Sequence, residues 1–239
     1  MKQHGISVYS GLRSITLLLS ALILFFSADA QAPQNNFDKP HDLKVISEKI
    51  ENGYLIRTVQ YREGGMLVTE TIYMPHVKMQ DLHNPINPDT LNKDSVMVMV
   101  DKSHYIVHVY YKKHLVRNYK AVFGPHPLQN KCMEGDRCTP EGWFKIASKN
   151  ANSRYDKFMG LSYPSDSDII RFNKMKQKGQ IPATARIGNS VGIHGIWPGG
   201  DDMIEMGVGW TDGCIALKNR DIEELFKFVG VGTKVYIKK

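Results

Sequence analysis

Apolar and polar residues alternate with a period of two through most of the chain beyond residue 40, the signature of half-buried strands rather than helices. KVISEKI and YLIRTVQY are separated by Asn52-Gly53. Both turn residues must tolerate positive φ, so this pair is the strongest short hairpin signal a sequence can carry. Gly64-Gly65 makes a second turn, and in the segment after it Val68, Ile72 and Met74 share one face. From Pro75 to Asp94 the periodicity stops and Pro75, Pro85 and Pro88 mark a linker or covering loop. Strands return at Val96–Asp101, Tyr105–Tyr111 and Leu115–Phe123, and Trp143–Ala147 follows a Thr139-Pro140-Glu141-Gly142 turn. Two helices are predicted. One spans about Ser167 to Lys178 and stops at Gly179. The other is capped by Asn219, carries Ile222, Leu225, Phe226 and Val229 on one face, and ends at Gly230. Thr233–Ile237 reads as a closing strand. The pattern is mainly β with a few helices, in a small hairpin segment (31–94) and a larger unit (95–239).

The first thirty residues stand apart. Lys2 and Arg13 precede the apolar run Ile15–Phe26, and Ala28-Asp29-Ala30 offers the small residues a signal peptidase reads, with Gln31 as the expected mature N-terminus. That run is well short of the roughly 20 residues a spanning helix needs, so a cleaved signal peptide over 1–30 is expected, with export to the periplasm or cell wall and no stable membrane insertion afterwards. The 239 residues are 42% hydrophobic and 23% charged, which excludes collagen, a disordered chain and a multi-span membrane protein. The net charge of +7 is spread along the chain; it admits an anionic partner without pointing to nucleic acid.

Export changes how three cysteines read. In an oxidising compartment Cys132 and Cys138 can close a small disulfide loop, and Cys214 is left over and needs a reason. A metal site at the first pair would need four ligands, and only His126 lies near; no metal is expected. Cys214 sits in Trp210-Thr211-Asp212-Gly213-Cys214-Ile215-Ala216-Leu217, just before the second helix. A glycine before a cysteine lets the backbone turn sharply and aim its amides at one point, as an oxyanion hole requires. His194 lies upstream in Gly192-Ile193-His194-Gly195. A cysteine nucleophile needs such an imidazole, because an ordinary thiol, of pKa about 8.5, is mostly protonated at neutral pH. Trp197 and Trp210 are candidates for lining a groove or for packing.

From about Ser95 onward several ordered pieces resemble the L,D-transpeptidase (YkuD-type) catalytic domain of bacterial cell-wall enzymes. VMVMVDKSHYIVHVYYKKHLVRNYKAVFG looks like its opening strands. GDRCTPEGWFKI is similar to its Gly-Asp…Thr-Pro-x-Gly-x-Phe signature, GLSYPSDSD resembles a segment common in one branch, and His194-Gly195 followed by Thr211-x-Gly213-Cys214-Ile215 looks like its active-site motif. The resemblance implies a β-sandwich catalytic domain with Cys214 as nucleophile and His194 as base, the Gly195 carbonyl orienting the imidazole, and Thr211, Asp212 and Gly213 at the substrate and oxyanion. It implies no cofactor. The implied substrates are peptidoglycan stem peptides that lose D-Ala to form a Cys214 thioester, resolved by a diaminopimelate amine, a lipoprotein lysine or water. Two residues depart from the family's usual pattern. Asp212 stands where His is common, and Ala216 where Arg is common. Asp212 is expected to face His194 or a substrate ammonium. The rival functions are a cysteine hydrolase of wall peptides or lipoprotein links on the same site, and a degenerate peptidoglycan-binding module. The hairpin segment lies outside the resemblance.

Overall fold

A computed structural model describes residues 40–76 and 86–239; the leader expected over 1–30 lies outside the described residues. Three antiparallel strands come first: β1 (His41–Glu51), β2 (Tyr54–Glu63) and β3 (Met66–Pro75). Asn52-Gly53 and Gly64-Gly65 form their turns with all four residues at positive φ, the conformation that two-residue hairpins demand. The alternation sorts the faces. Val59, Tyr61 and Ile72 are buried, whereas Ile50, Tyr54 and Tyr73 are exposed.

Two short 3-10 turns, Pro88–Thr90 and Lys93–Ser95, lead into the larger unit. It contains β4 (Val96–Asp101), β5 (Ile106–Tyr111), β6 (His114–Lys120), β7 (Gly142–Ser153), β8 (Asp156–Leu161), α1 (Asp166–Gln177), β9 (Gly192–His194), α2 (Asp201–Met206), β10 (Ile215–Ala216), α3 (Asn219–Phe228) and β11 (Lys234–Lys238). Its strands form one sheet in the order β10-β9-β8-β7-β11-β4-β5-β6. β11 runs parallel to β4 and β10 parallel to β9. Just after β6, Val122 bridges Ala216 of β10, with N–H···O distances of 3.0 and 2.9 Å. The two ends of the sheet therefore meet, and the expected mainly β catalytic unit is built from strands that curl around one core.

The core fills this curl. Val96, Val98 and Val100 of β4 point inward at alternate positions, joined by Val107, Val109, Val235 and Ile237. α3 closes the core with Ile222, Leu225 and Phe228, all fully buried. A second apolar cluster joins the inner face of the hairpin sheet to α2 and the segment after β9: Val59, Tyr61 and Ile72 pack with Ile196, Met203, Ile204 and Val208. Arg57 adds a hydrogen bond to the Glu205 carbonyl at 2.9 Å. The hairpin is thus seated on α2 and on the segment that follows β9.

The helix boundaries agree with the pattern to within two residues, but one cap differs. α3 begins at Asn219, and Asn219 does not cap it with its side chain. Its Oδ1 instead accepts the Ile196 N–H at 2.8 Å, tying the strand of His194 to the start of α3. α1 has a full capping box between Ser165 and Asp168.

Candidate active site

Two very short strands bring the chemistry together. β9 pairs with β8 on one side (Phe158 opposite His194) and with β10 on the other (Ile193 beside Ile215, His194 beside Ala216). Cys214 is the residue just before β10, so the parallel pairing brings it next to the strand that carries His194, twenty residues earlier in sequence. The Leu217 N–H donates to the His194 carbonyl at 2.9 Å and extends the register.

Glycine is required at two points. Gly213 has φ +125°, and a Cβ there would meet the Cys138 carbonyl oxygen at 2.4 Å. At Gly195 a Cβ would lie 2.5 Å from Asn219 Oδ1 and 2.8 Å from the Tyr155 carbonyl oxygen. Neither distance is tolerable for a real side chain without moving backbone.

His194 is 4% exposed. Its Nδ1 lies 2.6 Å from the Gly195 carbonyl. A carbonyl only accepts, so Nδ1 carries the proton and Nε2 is left as the basic nitrogen. Tyr155 stacks on the ring at 5.2 Å, Phe158 lies beyond at 6.3 Å, and Trp210 meets it edge-on at 5.4 Å. Burial among these rings lowers the imidazole pKa to about 4, although the Gly195 hydrogen bond pulls the other way. The imidazole is therefore neutral at neutral pH.

The Cys214 thiol donates to the Ser190 carbonyl at 3.5 Å. Burial raises its pKa and Asp212 adds to that, while the Gly192 N–H and the Lys131 charge oppose it. At rest the Cys214 thiol and the His194 imidazole are both neutral.

Thr211 is buried and fully engaged within the turn. Its Oγ1 donates to the Cys214 carbonyl at 2.7 Å and accepts the Gly213 N–H at 3.3 Å. Asp212 is 89% exposed at its side chain, and its partner is Arg137, 3.4 Å from Asp212 Oδ1 to Arg137 Nε, not His194. Trp197 and Trp210 are half-buried and meet each other edge-on at 4.9 Å. Both pack against the cluster that includes Val59, Tyr61 and Ile72 of the hairpin sheet.

Cys132 and Cys138 are free thiols rather than a disulfide. Their Sγ atoms donate to the carbonyls of Asn130 and Asp136, each at 3.3 Å. The loop they flank is closed by Asp136, whose carboxylate accepts from the amides of Cys132, Met133 and Cys138 and from Lys131 Nζ. Among the described residues, no group of three or more His, Cys, Asp or Glu side chains gathers as a metal ion would require.

Sequence reasoning missed Tyr155, Phe158, Asn219 as a brace, and the Lys131–Asp136 pair. Asp136 has a signal in its Gly-Asp motif; Tyr155 and Phe158, which join Trp210 around His194, have none, because they come from a separate turn and strand.

A family model described as the L,D-transpeptidase catalytic domain, YkuD, matches residues 95–237. Among solved structures, a Bdellovibrio bacteriovorus protein is similar at 18% identity and a TM-score of 0.42, over 61% of this chain and 48% of that one. An L,D-transpeptidase from Mycobacterium smegmatis is similar at 14% identity and a TM-score of 0.40, over 82% of each chain. One from Stackebrandtia nassauensis is similar at 15% and 0.39, over 62% of this chain and 57% of that one. The chain thus spans about half the length of the Bdellovibrio protein. The family assignment rests on the family model and not on these likenesses. No curated protein matches the chain.

Proposed function

The chain belongs to the L,D-transpeptidase catalytic domain (YkuD) family, and on that premise we propose that it is an exported cysteine acyltransferase acting on peptidoglycan stem peptides. The observation that carries the reading is the β9–β10 pairing, with His194 on β9 and Cys214 immediately before β10, within the matched segment.

In this reading Cys214 is the nucleophile and His194 its general base. The neutral imidazole takes the thiol proton at Nε2 as Sγ attacks the carbonyl at the L-centre of diaminopimelate. This is base-assisted attack, not reaction of a standing thiolate–imidazolium pair, since burial favours the neutral form of both groups. The Gly213 amide is held by Thr211, so the Cys214 amide is the donor we assign to the developing oxyanion. His194 then hands its proton to the departing amine, D-Ala leaves, and the acyl group stays as a Cys214 thioester. An incoming amine, from a second diaminopimelate or a lipoprotein lysine, gives its proton to His194 and displaces the thiolate, which recovers that proton. Because a thioester keeps much of the energy of the broken amide, no other energy source is needed outside the membrane. In this scheme a cleaved leader over 1–30 precedes an N-terminal segment, 31–94, whose hairpin sheet packs against the catalytic unit.

The test is incubation of the purified protein with a disaccharide-tetrapeptide from a diaminopimelate wall, with products weighed by mass spectrometry and Cys214→Ala as control. The expected result is Cys214-dependent release of D-Ala with a 3→3 cross-linked dimer. Free tripeptide in place of dimer makes the protein a hydrolase on the same site. No D-Ala release, together with no labelling of Cys214 by a carbapenem-type acylating probe, overturns the enzymatic reading and leaves a binding module.

A further inference from the structure

Lys131 is a buried cation with more support than its partner needs. It lies in the long loop between β6 and β7, is 3% exposed, and pairs through Nζ with Asp136 at 2.9 Å. Asp136 already accepts three backbone amides, from Cys132 (2.5 Å), Met133 (2.9 Å) and Cys138 (3.0 Å). Three such donors stabilise a carboxylate by themselves, and burying an ammonium is costly even when it is paired. The position of the ammonium supplies a reason for it. A Cβ built on Gly213 would come within 3.4 Å of Lys131 Nζ, so the charge sits against the turn that immediately precedes Cys214. The Lys131 backbone is braced from the other side, where Arg171 donates to its carbonyl at 2.9 Å and to Asp168 at 2.7 Å.

We propose that Lys131 is a positioning residue for Cys214: its ammonium, lodged behind the Gly213-Cys214 turn by Asp136, supplies the positive field that favours the thiolate during attack. The inference rests on the reading of Cys214 as nucleophile.

The groups that act on Cys214 are few. Lys131 and the Gly192 N–H favour the thiolate and Asp212 opposes it; Asp212 is largely solvated and turned to Arg137, and His194 is neutral. Asp136 acts differently on the three thiols. At Cys132 and Cys138 burial is the main cause that pushes the thiols up, Cys138 to about 11, and the Asp136 charge adds to it against that of Lys131. At Cys214 the lysine is the member of the pair whose charge registers.

The experiment is alkylation of the full chain by iodoacetamide from pH 6 to pH 10, with each cysteine followed separately by peptide mass spectrometry. Lys131→Gln keeps a hydrogen-bond donor for Asp136 but removes the charge, and Lys131→Arg keeps the charge. The glutamine variant is expected to move the Cys214 profile to higher pH and slow its alkylation at pH 7.5 by about tenfold, one pKa unit. The arginine variant is expected to stay within about twofold, since charge rather than shape is what it preserves. A Cys214 profile unchanged in a folded Lys131→Gln protein overturns the proposal, and so does equal slowing in both variants. Lys131→Met gives the same readout if the glutamine variant does not fold. Alkylation reads the thiol and not acyl transfer. An unchanged profile therefore leaves the transpeptidase reading intact, and absent D-Ala release leaves this measurement interpretable.

Discussion

The hairpin sheet (41–75) and the site segment (188–219) both rely on glycine turns and short-range pairing, yet their construction is opposite. In the hairpin the strands are ten or eleven residues long, the register follows from two tight turns, and Gly53 has nothing within 4 Å of a built Cβ. In the site the strands are three and two residues long, and Gly192, Gly195, Gly209 and Gly213 are pressed against backbone from other segments. A long regular strand carries its own conformational instructions. A two-residue strand exists only because its neighbours leave no alternative. The lesson is that chemistry here was placed on the least autonomous part of the chain, where precision comes from surrounding contacts.

The sharpest way to test this contrast is to put the same substitution at a glycine in each region. Gly213→Ala must distort backbone at φ +125° and clash with Cys138. We expect loss of D-Ala release by at least about a hundredfold and a cost of roughly 3 kcal/mol in denaturant unfolding. Gly53→Ala meets only the positive-φ penalty, about 1 kcal/mol, and activity is expected to persist. Equal effects would erase the distinction.

The next largest effect concerns how the regions are joined. Val59→Ala deletes fully buried surface between the hairpin and α2 and is expected to cost about 2 kcal/mol. Ile50→Ala, at an exposed position of the same sheet, should stay within about 0.5 kcal/mol. Thermal melts of the two variants measure whether the hairpin is seated as described.

Asn219→Ala comes third. It strips the acceptor from the Ile196 N–H beside the His194 strand and should cost about 1–2 kcal/mol, with activity falling more than stability alone explains.

The pH response is subtler. The folded pKa of His194, about 4, is below the ordinary 6.5. Between these values the unfolded chain binds a proton that the folded protein refuses. The contribution of His194 to stability is therefore complete above pH 6.5 and is lost as pH falls toward 4. The acid limb of kcat/KM, which reports the base becoming protonated, is expected near pH 4. A limb at 6 to 7 would mean that the aromatic cage does not exclude water as its packing implies.

Smallest of all, Asp212→Asn removes an anion that opposes the Cys214 thiolate. Its side chain is mostly solvated, so Cys214 alkylation should quicken by no more than about threefold.

The strand alternation, both hairpin turns, α1, α3 and the closing strand are legible in the residues because each is set by local periodicity or turn chemistry. The hidden parts share one property. β9 and β10 are too short to show a period, α2 is six residues, and β8 opens on Asp156 at positive φ. The role of Asn219 was misread for a related reason: a residue at a helix start has the chemistry of a cap, and only the nearby Ile196 N–H decides that its oxygen is used elsewhere. The spacing of Cys132 and Cys138 suggests a disulfide, whereas both are free thiols and the loop they flank is organised by the Asp136 carboxylate, which spacing does not reveal.

What the residues determined alone is therefore the mainly β class, the hairpin and its turns, the amphipathic α3, and the motifs whose order marks the family. These depend on interactions within a few residues, or on residue types that are diagnostic wherever they lie. The tertiary structure decided that the sheet closes through Val122 and Ala216, that aromatic rings keep His194 neutral, that Asp212 turns to Arg137, and that Lys131 lies behind Cys214. Each of those depends on burial or on charge at a distance, and both are properties of neighbours that the chain brings together only when it folds.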